Sequence, residues 1–133
     1  MKRLLLLSLL LPASAAFADL YDQPYSIIET DPSRSADYLL LPVIVNRVDG
    51  HNAQYDNRAV VDPGRHDVTI DVRPRKGFHI ATQATFPLET RPCMRYYVAA
   101  KLDSPTSQRW QPVVRHAEPI GECQAKFNMA GAK

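Results

Sequence analysis

A turn that leads directly into an alternating stretch is the sequence feature that most constrains this chain. Asp62-Pro63-Gly64 has the composition of a type II turn, because proline presets φ at the second position and glycine supplies the positive φ of the third. In the residues that follow, the apolar side chains of Val68, Ile70 and Val72 alternate with polar ones. This period of two predicts a strand that is buried on one face only.

Most of the remaining chain consists of similar short stretches separated by Pro, Gly, Asp and Asn, and we find no helical periodicity. We therefore predict an all-β fold, an antiparallel β-sandwich of the immunoglobulin or transthyretin type with six or seven short strands and one disulfide. A partly open barrel is the alternative. A hairpin across residues 74–77 should bury the apolar rows on its two sides together. The predicted strands are 38–48, 58–61, 67–72, 78–88, 93–102, 109–115 and 122–127, with a short edge strand at 26–30.

Residues 1–18 have the pattern of a secretory signal peptide. Lys2 and Arg3 precede the apolar run Leu4–Leu11, and Ala16-Phe17-Ala18 provides a cleavage site of small residues. A cut after Ala16 is the alternative to a mature chain that begins at Asp19. The apolar run is shorter than the about 20 residues that span a bilayer. We expect a bacterial protein that is exported to the periplasm or secreted, without a membrane span.

The mature chain is predicted to form one domain. Residues 19–37 are expected to be an extended leader packed over the sandwich edge, residues 38–127 the β-sandwich, and residues 128–133 a flexible tail. The full chain carries 16 Lys and Arg against 14 Asp and Glu. Removing residues 1–18 takes away two basic residues and no acidic one, which leaves 14 of each. A balanced charge gives no basis for binding nucleic acid.

Two cysteines, Cys93 and Cys123, lie in the mature chain. An even number of cysteines in an exported protein indicates a disulfide, because an oxidising compartment preserves the bond. Their spacing fits neither a C-x-x-C redox site nor a metal site. We predict that the bond ties the start of one strand to the C-terminal segment.

Part of the chain is similar to bacterial envelope modules of the PEGA type. The similarity is carried by Val48-Asp49-Gly50, then Pro63-Gly64-Arg65-His66 and the alternating run to Val72. Those modules have a strand that ends in a D-G turn, and a P-G-x-H turn that leads into a V-x-V strand. Small exported proteins of unknown function share the layout, with a strand like Arg95–Lys101 near a cysteine pair. The resemblance implies a β-sandwich in the cell envelope and no catalytic residue set.

The sequence contains no reactive constellation, so we predict a protein that is not an enzyme and has no cofactor. It has no G-x-S-x-G motif, and no histidine lies in H-x-x-x-H or at metal-ligand spacing from a cysteine. His66 follows a turn and is expected to bond turn backbone, and His66 and His116 share the parity of apolar strand faces. A metal site would need histidines from separate strands, and the candidates for it are His66, His79 and His116.

The predicted function is a non-catalytic binding or accessory module of the cell envelope, whose partner is an envelope protein or a glycan. The candidate contacts with an anion or a partner are a cluster of basic residues and one outward-facing tyrosine, with Arg65 near the cluster across the turn. These residues are Arg65, Arg73, Arg75, Lys76 and Tyr97. Trp110 is expected in the core. Two alternatives are a periplasmic metal-binding protein and a subunit that completes its sheet with another chain at an edge near Pro42.

Overall fold

The computed structural model of the protein describes residues 19–32, 36–54, 58–72 and 82–129, and within them it confirms the all-β fold. These residues form nine strands and one short helix. Two of the strands have only two residues each, so seven longer strands remain. The elements are β1 Ser26–Thr30, β2 Leu40–Leu41, β3 Val43–Val48, β4 His51–Asn52, β5 Arg58–Val61, β6 Gly64–Val72, β7 Gln83–Thr90, β8 Met94–Leu102, β9 Trp110–Pro119 and α1 Gly121–Lys126.

The strands form two sheets that pack face to face. In the first sheet, β9 pairs along the whole of β8, while β1 and β2 pair with successive parts of β8, and β5 lies beside β1. The second sheet has the order β4-β3-β6-β7. The pairs are antiparallel except for β1 and β8, which run parallel. This pair is a departure from the purely antiparallel sandwich that we predicted.

The main core lies between the sheets and is built from the alternating rows of both. Val68 pairs with Phe86 and His66 pairs with Leu88 across β6 and β7, so the described parts of these two strands place their apolar rows in the same core, as predicted. Trp110 packs against the same core, half-buried. Residues 73–81, which include the predicted turn at 74–77, lie outside the described residues. The buried members of the core are Ile28, Leu41, Val43, Val45, Val48, Ala59, Val61, Val68, Ile70, Val72, Leu88, Met94, Tyr96, Val98, Ala100 and Leu102.

A second, smaller core covers one end of the outer face of the first sheet. Helix α1 and the segment before β1 supply its cover, and Ile27 of β1 and Val60 of β5 supply its base. Because β1 and β5 also contribute to the main core, they are apolar on both faces at this end of the sheet. We call this second core the satellite core. The buried members of the satellite core are Tyr25, Ile27, Val60, Cys93, Ile120 and Cys123.

The predicted position of the strand at residues 26–30 is wrong, although the strand itself is present. We placed it at the edge, within a leader, but β1 lies inside the first sheet between β5 and β8. Ile28 is 0 % exposed there. A strand buried on both faces does not alternate between polar and apolar residues, so the segment lacked the signal that identifies a central strand.

The predicted last strand at residues 122–127 is also wrong, because this segment forms α1. Glu, Gln, Ala and Lys, which favour helices, make up most of it. Glu122 lies in the first turn and Lys126 in the last, which complements the helix dipole. Ile120, Cys123 and Phe127 have the spacing of one helical face, and all three pack into the satellite core.

The strands are interrupted at two turns and one proline, at positions where the sequence predicted turns or an edge. Asp49 and Gly50 have φ angles of 52° and 78°, as the tight β3–β4 hairpin requires. Gly64 also has a positive φ, of 136°. Pro42 interrupts the predicted strand 38–48 between β2 and β3, where the chain passes from the first sheet to the second.

Candidate functional site

The disulfide between Cys93 and Cys123 is confirmed, and it lies inside the satellite core. The two Cα atoms are 5.3 Å apart, and the residues are 0 % and 1 % exposed. The backbone N–H of Cys93 donates to the carbonyl oxygen of Tyr25 at 2.8 Å, and the N–H of Ile120 donates to that of Cys93 at 2.8 Å. The bond therefore holds α1, the start of β8 and the segment before β1 together at one point.

A histidine connects two turns at one end of the sandwich. His66 lies at the start of β6, on the inward row that continues with Val68. Its Nδ1 is 2.6 Å from Oδ2 of Asp49, and its Nε2 is 2.6 Å from the carbonyl oxygen of Asp62. The other carboxylate oxygen of Asp49 accepts the backbone N–H of Asp67 at 2.8 Å. We call His66, Asp49 and Asp62 the turn clamp, and it confirms the prediction that His66 bonds turn backbone.

The turn clamp shifts the pKa of both of its titratable side chains. Burial of the His66 ring lowers its pKa, but the hydrogen bonds to Asp49 and to the Asp62 carbonyl, with the nearby negative charge, outweigh burial and raise it overall. The pKa of Asp49 is lowered, first by its hydrogen bond with His66 and then by that with the Asp67 amide. The geometry therefore favours the imidazolium–carboxylate pair.

A pocket of about 260 Å³ lies beside the turn clamp. Val48, Ala59 and Val61 contribute apolar surface to it, and these residues also belong to the main core. Asp49 and His51 line its polar part. The pocket therefore combines apolar and polar surface next to the two turns that His66 connects.

Polar side chains cross the outer face of the first sheet in one row. The hydroxyl group of Tyr97 donates to Oε1 of Glu118 at 2.6 Å, and the Tyr97 ring stacks on His116 with centroids 4.3 Å apart. Arg95 lies between two carboxylates, with Nε 3.8 Å from Glu29 Oε1 and Nη1 4.0 Å from Glu118 Oε1. We call Glu29, Arg95, Tyr97, His116 and Glu118 the polar row.

The outward direction predicted for Tyr97 is confirmed, whereas its role as a contact residue stays a prediction. Tyr97 does point to the outer face, but it is only 8 % exposed because its neighbours in the polar row cover it. Burial raises the pKa of the Tyr97 hydroxyl, and the hydrogen bond to Glu118 raises it further against the opposing effect of Arg95. Tyr97 is therefore a neutral, buried member of a hydrogen-bonded row.

The parity assigned to His116 is wrong. The pairing of β8 with β9 shifts by one residue between Tyr97 and Val98, which is the signature of a β-bulge. Beyond the bulge the two faces of β9 exchange, so His116 stacks on outward-facing Tyr97 and is exposed. Alternation of faces counted along β9 without the bulge therefore assigns the residues beyond it to the wrong face of the sheet.

Tyr97→Phe is expected to lower the free energy of unfolding by about 1 kcal/mol, because it removes one hydrogen bond from a buried hydroxyl to a half-exposed carboxylate. Glu118→Gln, which keeps an acceptor oxygen and removes the charge, is the conservative comparison. Urea unfolding of both variants measures the effect. An unchanged midpoint for Tyr97→Phe contradicts the hydrogen bond.

Of the predicted basic cluster, only Arg65 lies within the described residues. Arg65 is exposed on β6 and pairs with Glu89 of β7, at the Gly64 end of the strand. Seven residues of extended chain, roughly 23 Å, separate it from Val72 at the other end of the strand. Arg73, Arg75, Lys76 and His79 lie outside the described residues.

Sequence reasoning did not connect Asp49 with His66, although both belong to the turns that it singled out. A D-G turn and a P-G-x-H turn at neighbouring strand ends were the available signal. The polar row gave no such signal, because it depends on which strands are neighbours and on the bulge in β9.

In the described part of the chain, no three His, Cys, Asp or Glu side chains are close enough together to hold a metal ion. His66 has both ring nitrogens directed at oxygen acceptors, and His116 is stacked on Tyr97. None of the helices formed by the described residues has the length and apolar character needed to cross a membrane. No protein-family model, no curated protein and no solved structure matches this chain.

Proposed function

We propose that the mature chain is a small exported protein of the bacterial cell envelope that acts as a non-catalytic binding or accessory module. The observation that carries the proposal is the buried Cys93–Cys123 disulfide, on which the docking of α1 depends. A structural disulfide of this kind persists in oxidising compartments, and the export signal pattern of residues 1–18 fits such a compartment.

The geometry of the turn clamp gives His66 a structural role, which supports the non-catalytic part of the proposal. A histidine that acts as a general base needs one ring nitrogen directed at the substrate. In His66, Asp49 engages one nitrogen and the Asp62 carbonyl engages the other. The Asp–His pair is therefore built to hold two turns in place.

The partner that we propose is an envelope protein or a glycan, and capture from the envelope fraction tests this. The purified mature chain, with its disulfide intact, is immobilised and exposed to solubilised envelope. The matched control is the same chain after reduction and alkylation. We expect a defined protein or glycan fragment to be retained by the oxidised chain and lost from the control. Identical recovery on both forms, or nothing retained by either, contradicts the proposal.

A further inference from the structure

The turn clamp joins elements that are far apart in the sequence. Asp49 lies in the turn between β3 and β4, whereas Asp62 lies in the turn between β5 and β6. The β3–β4 turn joins two strands of the second sheet, whereas the β5–β6 turn passes from the first sheet to the second. His66 bonds to both turns with distances of 2.6 Å. Its bonds therefore tie the β5–β6 crossover to the β3–β4 turn of the second sheet.

Both partners of the His66 ring are hydrogen-bond acceptors. A neutral imidazole has only one N–H, so it can donate to one of them, while its other nitrogen faces an oxygen lone pair. Only the imidazolium donates to both the Asp49 carboxylate and the Asp62 carbonyl. Asp49 cannot easily turn away, because its second oxygen holds the Asp67 amide. The complete clamp therefore requires a proton on His66.

We propose that His66 is a pH-dependent latch, which joins the β3–β4 and β5–β6 turns beside the pocket when protonated and, when neutral, keeps its one N–H on Asp49 and releases the Asp62 carbonyl of the β5–β6 turn. The groups that act on the His66 ring are Asp49, from the β3–β4 turn, and Asp62, from the β5–β6 turn. His51 of β4 acts on Asp49. The side-chain amide of Gln23 donates to the carboxylate of Asp62 at 2.6 Å, so this carboxylate has a partner of its own that does not depend on His66.

The direction of the pH dependence follows from the two pKa shifts. The pKa of His66 is raised above its ordinary 6.5, so its stabilisation is complete below pH 6.5 and is lost as the pH rises through the folded-state value. The pKa of Asp49 is lowered from 3.8, so its stabilisation is complete above pH 3.8 and is lost as the pH falls through its folded-state value. The latch is therefore fully engaged between about pH 4 and pH 6.5.

Nuclear magnetic resonance of the mature, oxidised chain tests the latch directly. Across the titration of His66, we expect its two ring nitrogens to change from the doubly protonated state to a single tautomer. Over the same range, the hydrogen-exchange protection of the Gly64 amide, which donates to Thr90 Oγ1 beside the Asp62 carbonyl, should fall about tenfold. That of the Asp67 and Asp49 amides, which are held by bonds between these two residues, should not change. A titration midpoint of His66 below pH 6.5 overturns the proposal, and so does a titration of His66 without any loss of hydrogen-exchange protection.

A double-mutant cycle provides a second test that does not depend on assigning the ring nitrogens. Asp49→Asn keeps an oxygen for the Asp67 amide but removes the charge, and His66→Gln removes the titrating ring. We expect the coupling between the two substitutions to correspond to a factor of about ten in the unfolding equilibrium constant at pH 5.5. At pH 9 we expect a factor of about two or less. His51→Gln, in the same pocket, should leave the pH dependence in place. Equal coupling at the two pH values overturns the latch.

Discussion

Replacing both cysteines with alanine is expected to lower the free energy of unfolding by about 3 to 4 kcal/mol and to release α1 from the sheet. The bond closes a loop with a sequence separation of 30, which is long enough for a large effect on the unfolded chain. The local consequence has a different cause. With only six residues, α1 is too short to be stable alone, so it depends on the satellite core for its position.

Urea unfolding and hydrogen exchange of Cys93→Ala/Cys123→Ala measure the two effects separately. Exchange should increase in α1 and in the segment before β1, while amides of β6 in the second sheet keep their relative protection. The wild-type chain after chemical reduction is the control that leaves the sequence unchanged. If the variant unfolds at the same urea concentration and α1 stays protected, the satellite core does not depend on the disulfide.

Ile28→Ala is expected to lower the free energy of unfolding by about 3 kcal/mol, because it opens a cavity where the two sheets meet. Ile28 is 0 % exposed, and its strand pairs with β5 on one side and β8 on the other. Few neighbouring side chains can move into such a site without disturbing both pairs. The measurement is the urea midpoint of the oxidised protein, with the slope of the transition as a check that unfolding stays two-state.

Ile44→Ala is the matched control for this prediction. It removes the same atoms from a residue of β3 that is only half-buried, so the expected loss is about 1 kcal/mol or less. A loss at Ile28 that is no larger than the loss at Ile44 contradicts the central position of β1. It would favour the peripheral leader that the sequence indicated for this segment.

The sequence was most informative where burial is one-sided and turn chemistry is strict. The alternation of Val68, Ile70 and Val72, and the apolar row of β7 opposite it, identified the β6–β7 hairpin because each strand has one solvent face. The Asp49-Gly50 turn was visible from composition alone. The pair of cysteines was sufficient to identify the disulfide, because no other cysteine competes.

The remaining features depend on contacts that a local pattern does not encode. The segment at Ile28 lacks alternation because a second core covers its other face, and that cover comes from α1 at the far end of the chain. His116 changes face at a bulge, and Tyr97 is buried by side chains from a neighbouring strand. The turn clamp likewise needs the ends of β3 and β5 to be neighbours in space.

The intact mass of the native protein, after alkylation of free thiols without reduction, tests most directly the central claim that the mature chain is exported and disulfide-linked. The predicted result is a protein in the envelope fraction whose mass is that of a chain beginning at Asp19. It carries no alkyl group on Cys93 or Cys123. A chain recovered from the cytoplasm with residues 1–18 retained and both cysteines alkylated would contradict it.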